Sequence, residues 1–281
     1  MRLRYRLLNV FARQGDPFSG NPLCVFEDGS ALDEDQMQGL ARQLNLSETT
    51  FLHPAAHGAD AVVRIFTPNY EMAFAGHPTL GTAHVVRALG LAGDSLALSM
   101  PAGVVPVVAA GDEWTLTSMP GRVLEDYEPG RIAQAVGIGA ADLVTPVQQV
   151  STGSPQVIAQ VGTRDALNRA IGNAALMREF AGMGTRGGET LVYLWHEGQH
   201  GTIEARALFT QDAAAIEDPA TGSACANLGA WLAAQGRAGH WTVSQGTQAH
   251  RPSTLRLSVA DDGQVQVGGL VRAVGAGEIQ L

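Results

Sequence analysis

Two short segments place polar side chains immediately before helices that contain no charge. In the first, FAGHPTLGTA, we predict a helix beginning at Pro78 with His77 as its N-cap. In the second, EDPATGSA, Asp218 and Ser223 lie near the start of a helix predicted over residues 222–234. Backbone amides in the first turn of a helix are unpaired and bind anions well. The two segments therefore indicate an anion site at each helix start.

Glycine occupies equivalent positions in the two segments. Gly76 precedes His77 and Gly222 precedes Ser223. A glycine lets a ligand approach the backbone closely because it has no Cβ. We predict that the amides near Gly76 and Gly222 converge on one substrate carboxylate.

Glu48 is the candidate acid/base. It follows a helix predicted over residues 33–44, where Asp33 and Gln36 have capping-box spacing, and it begins an apolar strand that would partly enclose it. Moving a proton between two carbons requires one group that removes it and returns it, and a carboxylate with a raised pKa suits this.

Each of these residues also has a structural interpretation. Most glutamates are solvated, so Glu48 could be an exposed carboxylate. His77 could be only a cap, Asp218 an acidic residue stabilised by the helix dipole, and Ser223 with Gly222 a tight turn with a hydroxyl cap.

Composition excludes several function classes. The formal net charge is −9 and the 18 basic residues form no run, which excludes a nucleic-acid partner. All 18 are arginine, because the chain has no lysine. Pyridoxal-phosphate Schiff-base enzymes and P-loop nucleotide hydrolases need a lysine amine and are excluded too.

The other sequence signals are negative. Cys24 and Cys225 lack CxxC spacing, so we expect no disulfide framework or zinc site and a reducing, cytoplasmic compartment. The histidines show no metal-ligand pattern. The two charge-free windows, residues 72–86 and 219–236, are too short to span a membrane. The Gly-rich residues 182–188 are predicted as a loop and not as a phosphate-binding loop.

Short strands interleaved with few helices indicate an α+β fold of mostly antiparallel sheets wrapped around helices. The predicted strands are residues 4–11, 23–27, 49–53, 61–66, 104–108, 114–118, 156–161, 191–195, 203–209, 255–259 and 264–267. A weak repeat places a G-x-P turn before one strand in each half, and a chargeless helix several dozen residues later. We predict an N-terminal lobe of residues 1–118, which 264–281 could complete, and a C-terminal lobe of 119–263.

Several strings together resemble one family. The strings are FSGNP, LSET, RIFTP, FAGHPT, EDPATGSA, QG and RPS, in this order along nearly the whole chain. They are similar to the PhzF-like (phenazine biosynthesis) isomerases. The resemblance implies a diaminopimelate-epimerase-like fold of two similar halves, each a sheet rolled around a central helix, with the site in the cleft between them.

The resemblance also implies an activity and its residues. The activity is the cofactor-free isomerisation of trans-2,3-dihydro-3-hydroxyanthranilate, a proton shift within a small cyclic amino acid, by a dimeric enzyme. Glu48 matches the family's acid/base, and its other site residues are matched by Gly76, His77, Asp218, Gly222 and Ser223. Residues 265–276 are uncharged except for Arg272. We interpret this run as an edge strand, which would support a homodimer.

Three other functions compete with this one. Ser223, His77 and Asp218 could form a hydrolase triad, but the G-x-S-x-G elbow is missing. A thiol racemase or epimerase needs two opposed thiols, whereas Cys24 follows a turn and Cys225 lies inside a predicted helix. The third is a non-catalytic protein that binds a small ligand on the same scaffold.

Overall fold

The computed structural model describes most of the chain, namely residues 1–56, 58–179 and 190–281. The Gly-rich loop predicted at 182–188 lies outside these residues. The chain divides into two compact units. The N-terminal unit consists of Met1–Thr117 and Gly268–Leu281, and the C-terminal unit of Ser118–Val267.

The N-terminal unit contains two helices among its strands. In chain order its elements are β1 (Arg2–Ala12), β2 (Asn21–Phe26), α1 (Glu34–Leu44), β3 (Glu48–His53), β4 (Ala61–Phe66), β5 (Glu71–Met72), α2 (Gly76–Ala88), β6 (Ser95–Met100), β7 (Gly103–Ala110) and β8 (Glu113–Thr117).

The C-terminal unit has more helices, most of them short. Its elements are β9 (Arg122–Tyr127), α3 (Pro129–Ala135), a 3-10 turn (Ala140–Asp142), β10 (Leu143–Ser151), β11 (Pro155–Val161), α4 (Arg164–Arg169), α5 (Ala174–Arg178), β12 (Leu191–Glu197), β13 (Thr202–Gln211), β14 (Ala214–Asp218), α6 (Gly222–Ala234), β15 (Gly239–Gln245) and β16 (Ser253–Val259). A last strand, β17 (Val265–Gln280), contains the division between the units.

Strand pairing in the N-terminal unit is mixed. β2 pairs antiparallel with β1 and parallel with β3, and β3 pairs antiparallel with β4. β4 pairs antiparallel with β5 and parallel with β6, which leads through antiparallel pairs to β7 and β8. Helix α2 packs against β1, β2, β3 and β8.

Strand pairing in the C-terminal unit is also mixed. β11 pairs antiparallel with β10 and parallel with β12, and β12 pairs antiparallel with β13. β13 pairs antiparallel with β14 and parallel with β15, which pairs antiparallel with β16. Helix α6 packs against β9, β10, β11 and β16. Mixed sheets with few helices confirm the predicted α+β class.

Helices α2 and α6 are buried because they have no charged face to present to water: α6 has no charged residue, and α2 has one, Arg87, in its last turn. Ten residues of α2 and ten of α6 are buried. Close packing requires small residues here: a Cβ at Gly81 of α2 would overlap Leu23 Cδ2 and lie 2.9 Å from Val10 Cγ2. In contrast, α1 is amphipathic and buries Met37, Leu40 and Ala41.

Two helix predictions are confirmed and one is corrected. Helix α1 has the predicted capping box between Asp33 and Gln36, and α6 has the predicted bounds. Helix α2 begins at Gly76 rather than Pro78, with Ala75 as its N-cap. His77 is therefore not a cap, because its ring points to other side chains instead of the helix amides.

The predicted edge strand is also corrected. Residues 265–276 lie in β17, which pairs antiparallel with β1 from Leu270 to Gln280 and also pairs with β8. A run with partners from two strands supplies no argument for a dimer. The elements β5, β6, β9, β10, β14, β15 and α3 to α5 were not predicted from the sequence. Among the described residues, no helix has the length and apolar character needed to cross a membrane.

Candidate functional site

In the N-terminal unit, Glu48 lies beside His77. Glu48 is the first residue of β3, and His77 lies in the first turn of α2. Glu48 Oε2 is 3.4 Å from His77 Nε2, and the side chains are only 15% and 4% exposed respectively. The structure thus brings together two residues that are 29 positions apart and that were both predicted from the sequence as site residues.

His77 is neutral in this position. Burial lowers its pKa from 6.5 to about 3, although a hydrogen bond to the Pro22 carbonyl acts in the opposite direction. The contact with Glu48 satisfies the distance criterion for an ion pair, but a pKa near 3 leaves the ring uncharged at neutral pH. We therefore regard it as a contact between a carboxyl group and a neutral imidazole, so His77 itself supplies no charge to neutralise Glu48.

Asn21 and Ser47 complete this cluster. The Ser47 hydroxyl donates to Asn21 Oδ1 at 3.0 Å, and Asn21 Nδ2 lies 3.4 Å from His77 Nδ1. The parallel pairing of β2 with β3 positions these residues, because it sets Leu23 opposite Glu48. Asn21 belongs to the G-x-P turn noted in the sequence, but nothing in that turn predicted its contact with His77.

In the C-terminal unit, Asp218 is held by neighbouring side chains. It is the last residue of β14 and only 8% exposed. The Thr221 hydroxyl donates to Asp218 Oδ2 at 2.6 Å. Gln245 Nε2 donates to the Asp218 carbonyl and to Thr221 Oγ1, both at 2.9 Å, and Gln245 Oε1 accepts from the Tyr193 hydroxyl at 3.1 Å. The Asp218 carboxylate therefore has a fixed orientation.

Ser223 belongs to a second polar cluster of the same unit. It lies in the first turn of α6, directly after Gly222, and is partly exposed. Gln156 Nε2 donates to Ser223 Oγ at 2.9 Å, and Asn227 Nδ2 donates to Gln156 Oε1 at 2.8 Å. The sequence contained a signal for Asn227, because it is a lone amide in an otherwise apolar helix.

The cysteines lack the properties of catalytic thiols. Both are fully buried, Cys24 in β2 and Cys225 in α6. Burial raises the pKa of Cys24 to about 12 and raises that of Cys225 further. A thiolate is the reactive form, and neither residue forms one at neutral pH.

A cavity of about 510 Å³ in the N-terminal unit is lined by Arg64, Glu71, Met100 and their neighbours, and contains neither Glu48 nor His77. Arg64 donates to Glu71 at 2.7 Å and to Glu34 at 3.0 Å. Because these carboxylates already pair the guanidinium, the cavity does not present an unpaired cation to an anionic substrate. The pair of Glu48 and His77 is the better candidate for chemistry.

Comparison with known proteins supports one family. The model of "Phenazine biosynthesis-like protein" (PhzC-PhzF) matches residues 8–276. An uncharacterized isomerase from Pasteurella multocida is 35% identical over 280 residues, covering 98% of this chain and 93% of the relative. The trans-2,3-dihydro-3-hydroxyanthranilate isomerase of Pseudomonas fluorescens is 33% identical over 267 residues, covering 89% and 88%.

A solved structure gives the same result. The predicted epimerase from Pseudomonas aeruginosa superposes with a TM-score of 0.83 at 33% identity, covering 99% of each chain. The family predicted from the sequence motifs is confirmed, and so is its class, since the named relatives are isomerases. The chain belongs to the PhzC-PhzF family of phenazine biosynthesis-like proteins.

Proposed function

We propose that this protein is a cofactor-independent isomerase that moves a proton within a small cyclic carboxylate, with trans-2,3-dihydro-3-hydroxyanthranilate as the first substrate to test. The observation that carries the proposal is the pair of Glu48 and His77, a largely buried carboxyl group beside a neutral imidazole. The relative from Pseudomonas fluorescens, whose name states this substrate, supports the choice.

Glu48 acts as the only proton carrier in the proposed reaction. One C–H bond of the substrate breaks as its proton passes to the carboxylate, and a second C–H bond forms when the same carboxyl group returns it to another carbon. The electrons of the broken bond move through the ring, so no oxidant or reductant is required. His77 holds the carboxyl group in place without neutralising it, because the ring carries no charge.

The remaining site residues bind and orient the substrate. Asp218 is oriented by Thr221 and can accept a hydrogen bond from a substrate amino or hydroxyl group. Gly76 and Gly222 are the first residues of their helices, where amides are unpaired by the helix itself. That these amides share one substrate carboxylate stays a prediction.

We also propose that the two units are similar halves, each with a sheet rolled around a central helix. Two matched series of strand pairings support this: antiparallel, parallel and antiparallel from β1 to β4, and again from β10 to β13. The further proposal of a homodimer rests on family resemblance alone, and sedimentation showing only monomer at micromolar concentration would contradict it.

The function is tested by incubating the purified protein with trans-2,3-dihydro-3-hydroxyanthranilate in deuterium oxide and following the product by NMR. We expect conversion that survives dialysis against a chelator. A single enclosed carboxylate should return part of the substrate's own proton, so the product should contain less than one solvent deuterium per molecule. Absence of conversion would reject this substrate.

A further inference from the structure

We propose that Gln156 and Asn227 are positioning residues that orient the Ser223 hydroxyl to act as a hydrogen-bond donor to the substrate carboxylate. The inference deepens the proposed function and rests on it. Its basis is a buried chain of hydrogen bonds in the C-terminal unit whose donor and acceptor directions are all determined.

The direction of the chain is set by a backbone amide. The Thr152 N–H can only donate, and it donates to Asn227 Oδ1 at 2.7 Å. The other side-chain atom of Asn227 must then be its NH₂ group, which donates to the Ser154 carbonyl at 2.9 Å and to Gln156 Oε1 at 2.8 Å. A carbonyl oxygen can only accept, so both ends of the Asn227 amide are assigned without ambiguity.

The orientation of the Gln156 amide determines that of the Ser223 hydroxyl. Because Gln156 Oε1 accepts from Asn227, the NH₂ group of Gln156 is what contacts Ser223 Oγ at 2.9 Å. Ser223 Oγ is therefore the acceptor in this bond, and its hydrogen must point elsewhere. Within the described part of the chain no acceptor takes that hydrogen, and the partly exposed Ser223 can donate it to a ligand.

A substrate carboxylate matches this arrangement. A carboxylate accepts hydrogen bonds and cannot donate them. A freely rotating hydroxyl could present either its hydrogen or its lone pairs, whereas the bond from Gln156 occupies a lone pair and favours outward donation. The relay thus prevents the hydrogen from pointing toward Gln156 and favours its donation to an anion outside.

The N-terminal unit shows that this position in the fold does not require a polar network. Counting from the G-x-P turns at Gly20 and Gly153, Leu23 corresponds to Gln156. Counting from the helix starts at Gly76 and Gly222, Gly81 corresponds to Asn227.

The corresponding pair in the N-terminal unit is apolar. Leu23 packs directly against Gly81, where a Cβ would overlap the leucine. In the C-terminal unit, Asn227 is 0% and Gln156 only 6% exposed, and buried amides are tolerated only when fully hydrogen-bonded. Two buried amides occupy positions that leucine and glycine fill in the N-terminal unit, which indicates a function beyond folding.

The experiment compares four variants: Ser223→Ala, Gln156→Glu, Gln156→Met, and Gln156→Glu combined with Ser223→Ala. We measure the Kd of anthranilate, a simple aromatic carboxylate, together with KM, kcat and the melting temperature. Loss of a hydrogen bond to a charged group should raise the Kd of Ser223→Ala by roughly 10- to 100-fold. KM should rise with it, and kcat should change less.

Gln156→Glu reverses the relay. A carboxylate at 156 accepts from Asn227 and also from Ser223, so the serine hydrogen turns inward and Kd should rise about as much as in Ser223→Ala. Gln156→Met leaves the hydroxyl free to rotate and should raise Kd by only about threefold. A merely structural role would predict similar losses for both substitutions, in proportion to the fall in melting temperature.

The double variant separates the relay from simple charge repulsion. If Gln156→Glu acts through the hydroxyl, its effect should disappear in the Ser223→Ala background. An equal effect in both backgrounds, or unchanged binding in Ser223→Ala, would overturn the proposal. If Gln156→Glu does not fold, the same comparison is made with Gln156→Met, whose smaller loss should also vanish without the serine.

These outcomes are distinct from a failure of the proposed function. A protein that binds anthranilate with the expected ranking of variants but does not convert the dihydro substrate would retain the inference and reject the reaction. A protein that converts the substrate but shows no dependence on Ser223 would do the reverse. Failure to bind any carboxylate would reject the inference outright.

Discussion

Replacing Glu48 with glutamine should abolish turnover while leaving the fold intact. Glu48 is 15% exposed and contacts the neutral ring of His77, and glutamine has the same shape without adding a charge beside that ring. We expect unfolding free energy to change by less than about 1 kcal/mol. A positioned acid/base contributes roughly 10²- to 10⁴-fold, which is about 3–5.5 kcal/mol in the activation free energy. Because one carboxyl group performs both proton transfers, turnover in Glu48→Gln should fall by at least about 10⁴-fold.

The assay measures turnover and solvent-deuterium incorporation by NMR, with anthranilate binding and thermal unfolding as checks on the fold. Glu27→Gln is a matched control in the same unit. Glu27 is similarly buried, at 18% exposed, but pairs with Arg6 at 2.6 Å instead of a histidine. Glu27→Gln should retain turnover, and its loss of stability should be larger than the roughly 1 kcal/mol of an exposed ion pair because the pair is partly buried.

Two results would refute the reasoning. Turnover of Glu48→Gln within tenfold of the wild type would show that another group carries the proton. Equal losses of turnover in Glu48→Gln and Glu27→Gln would show that the effect of Glu48→Gln is structural.

Three further predictions concern buried groups. Folding lowers the pKa of His77 from 6.5 to about 3. The buried ring therefore does not reduce the free energy of unfolding above pH 6.5, but this free energy should fall by at most roughly 5 kcal/mol as the pH drops toward 3. In His77→Asn, the free energy of unfolding from denaturant titrations should vary less between about pH 4 and 7. Cys24→Ala with Cys225→Ala should lower the melting temperature and preserve turnover, and loss of activity in a folded double variant would restore thiol chemistry as an alternative. Gly81→Ala should destabilise by about 1–3 kcal/mol through overlap with its neighbours, whereas Gly39→Ala, which meets nothing within 4 Å in α1, should stabilise by about 0.5–1 kcal/mol in the same unfolding assay.

The sequence alone determined the local features of this protein. Asp33 and Gln36 predict the capping box of α1, and the change from polar to apolar residues after Thr221 predicts the start of α6. The shortage of charge in α2, which has only Arg87 in its last turn, and in α6, which has none, was enough to predict that both helices are buried. Motif strings were enough to identify the family, since they record which residue types occur in which order.

Local patterns were least informative where a neighbour decided the conformation. His77 was predicted as a cap because it precedes a proline, yet the helix begins one residue before it at Gly76. The edge strand over residues 265–276 looked unpartnered in the sequence, whereas β1 and β8 both pair with β17. Strand β5 has only two residues, too few for alternation to be recognised.

Only the tertiary structure decided the chemical states of the site. The pKa of His77 is set by burial, and burial depends on strands distant in the sequence. The direction in which the Ser223 hydroxyl points depends on Gln156, 67 residues away, which is itself oriented by Asn227 at a separation of 71. A sequence specifies which groups can donate or accept hydrogen bonds. Which of them meet, and in what solvent environment, is settled only when strands and helices that are distant in the sequence pack together and exclude water.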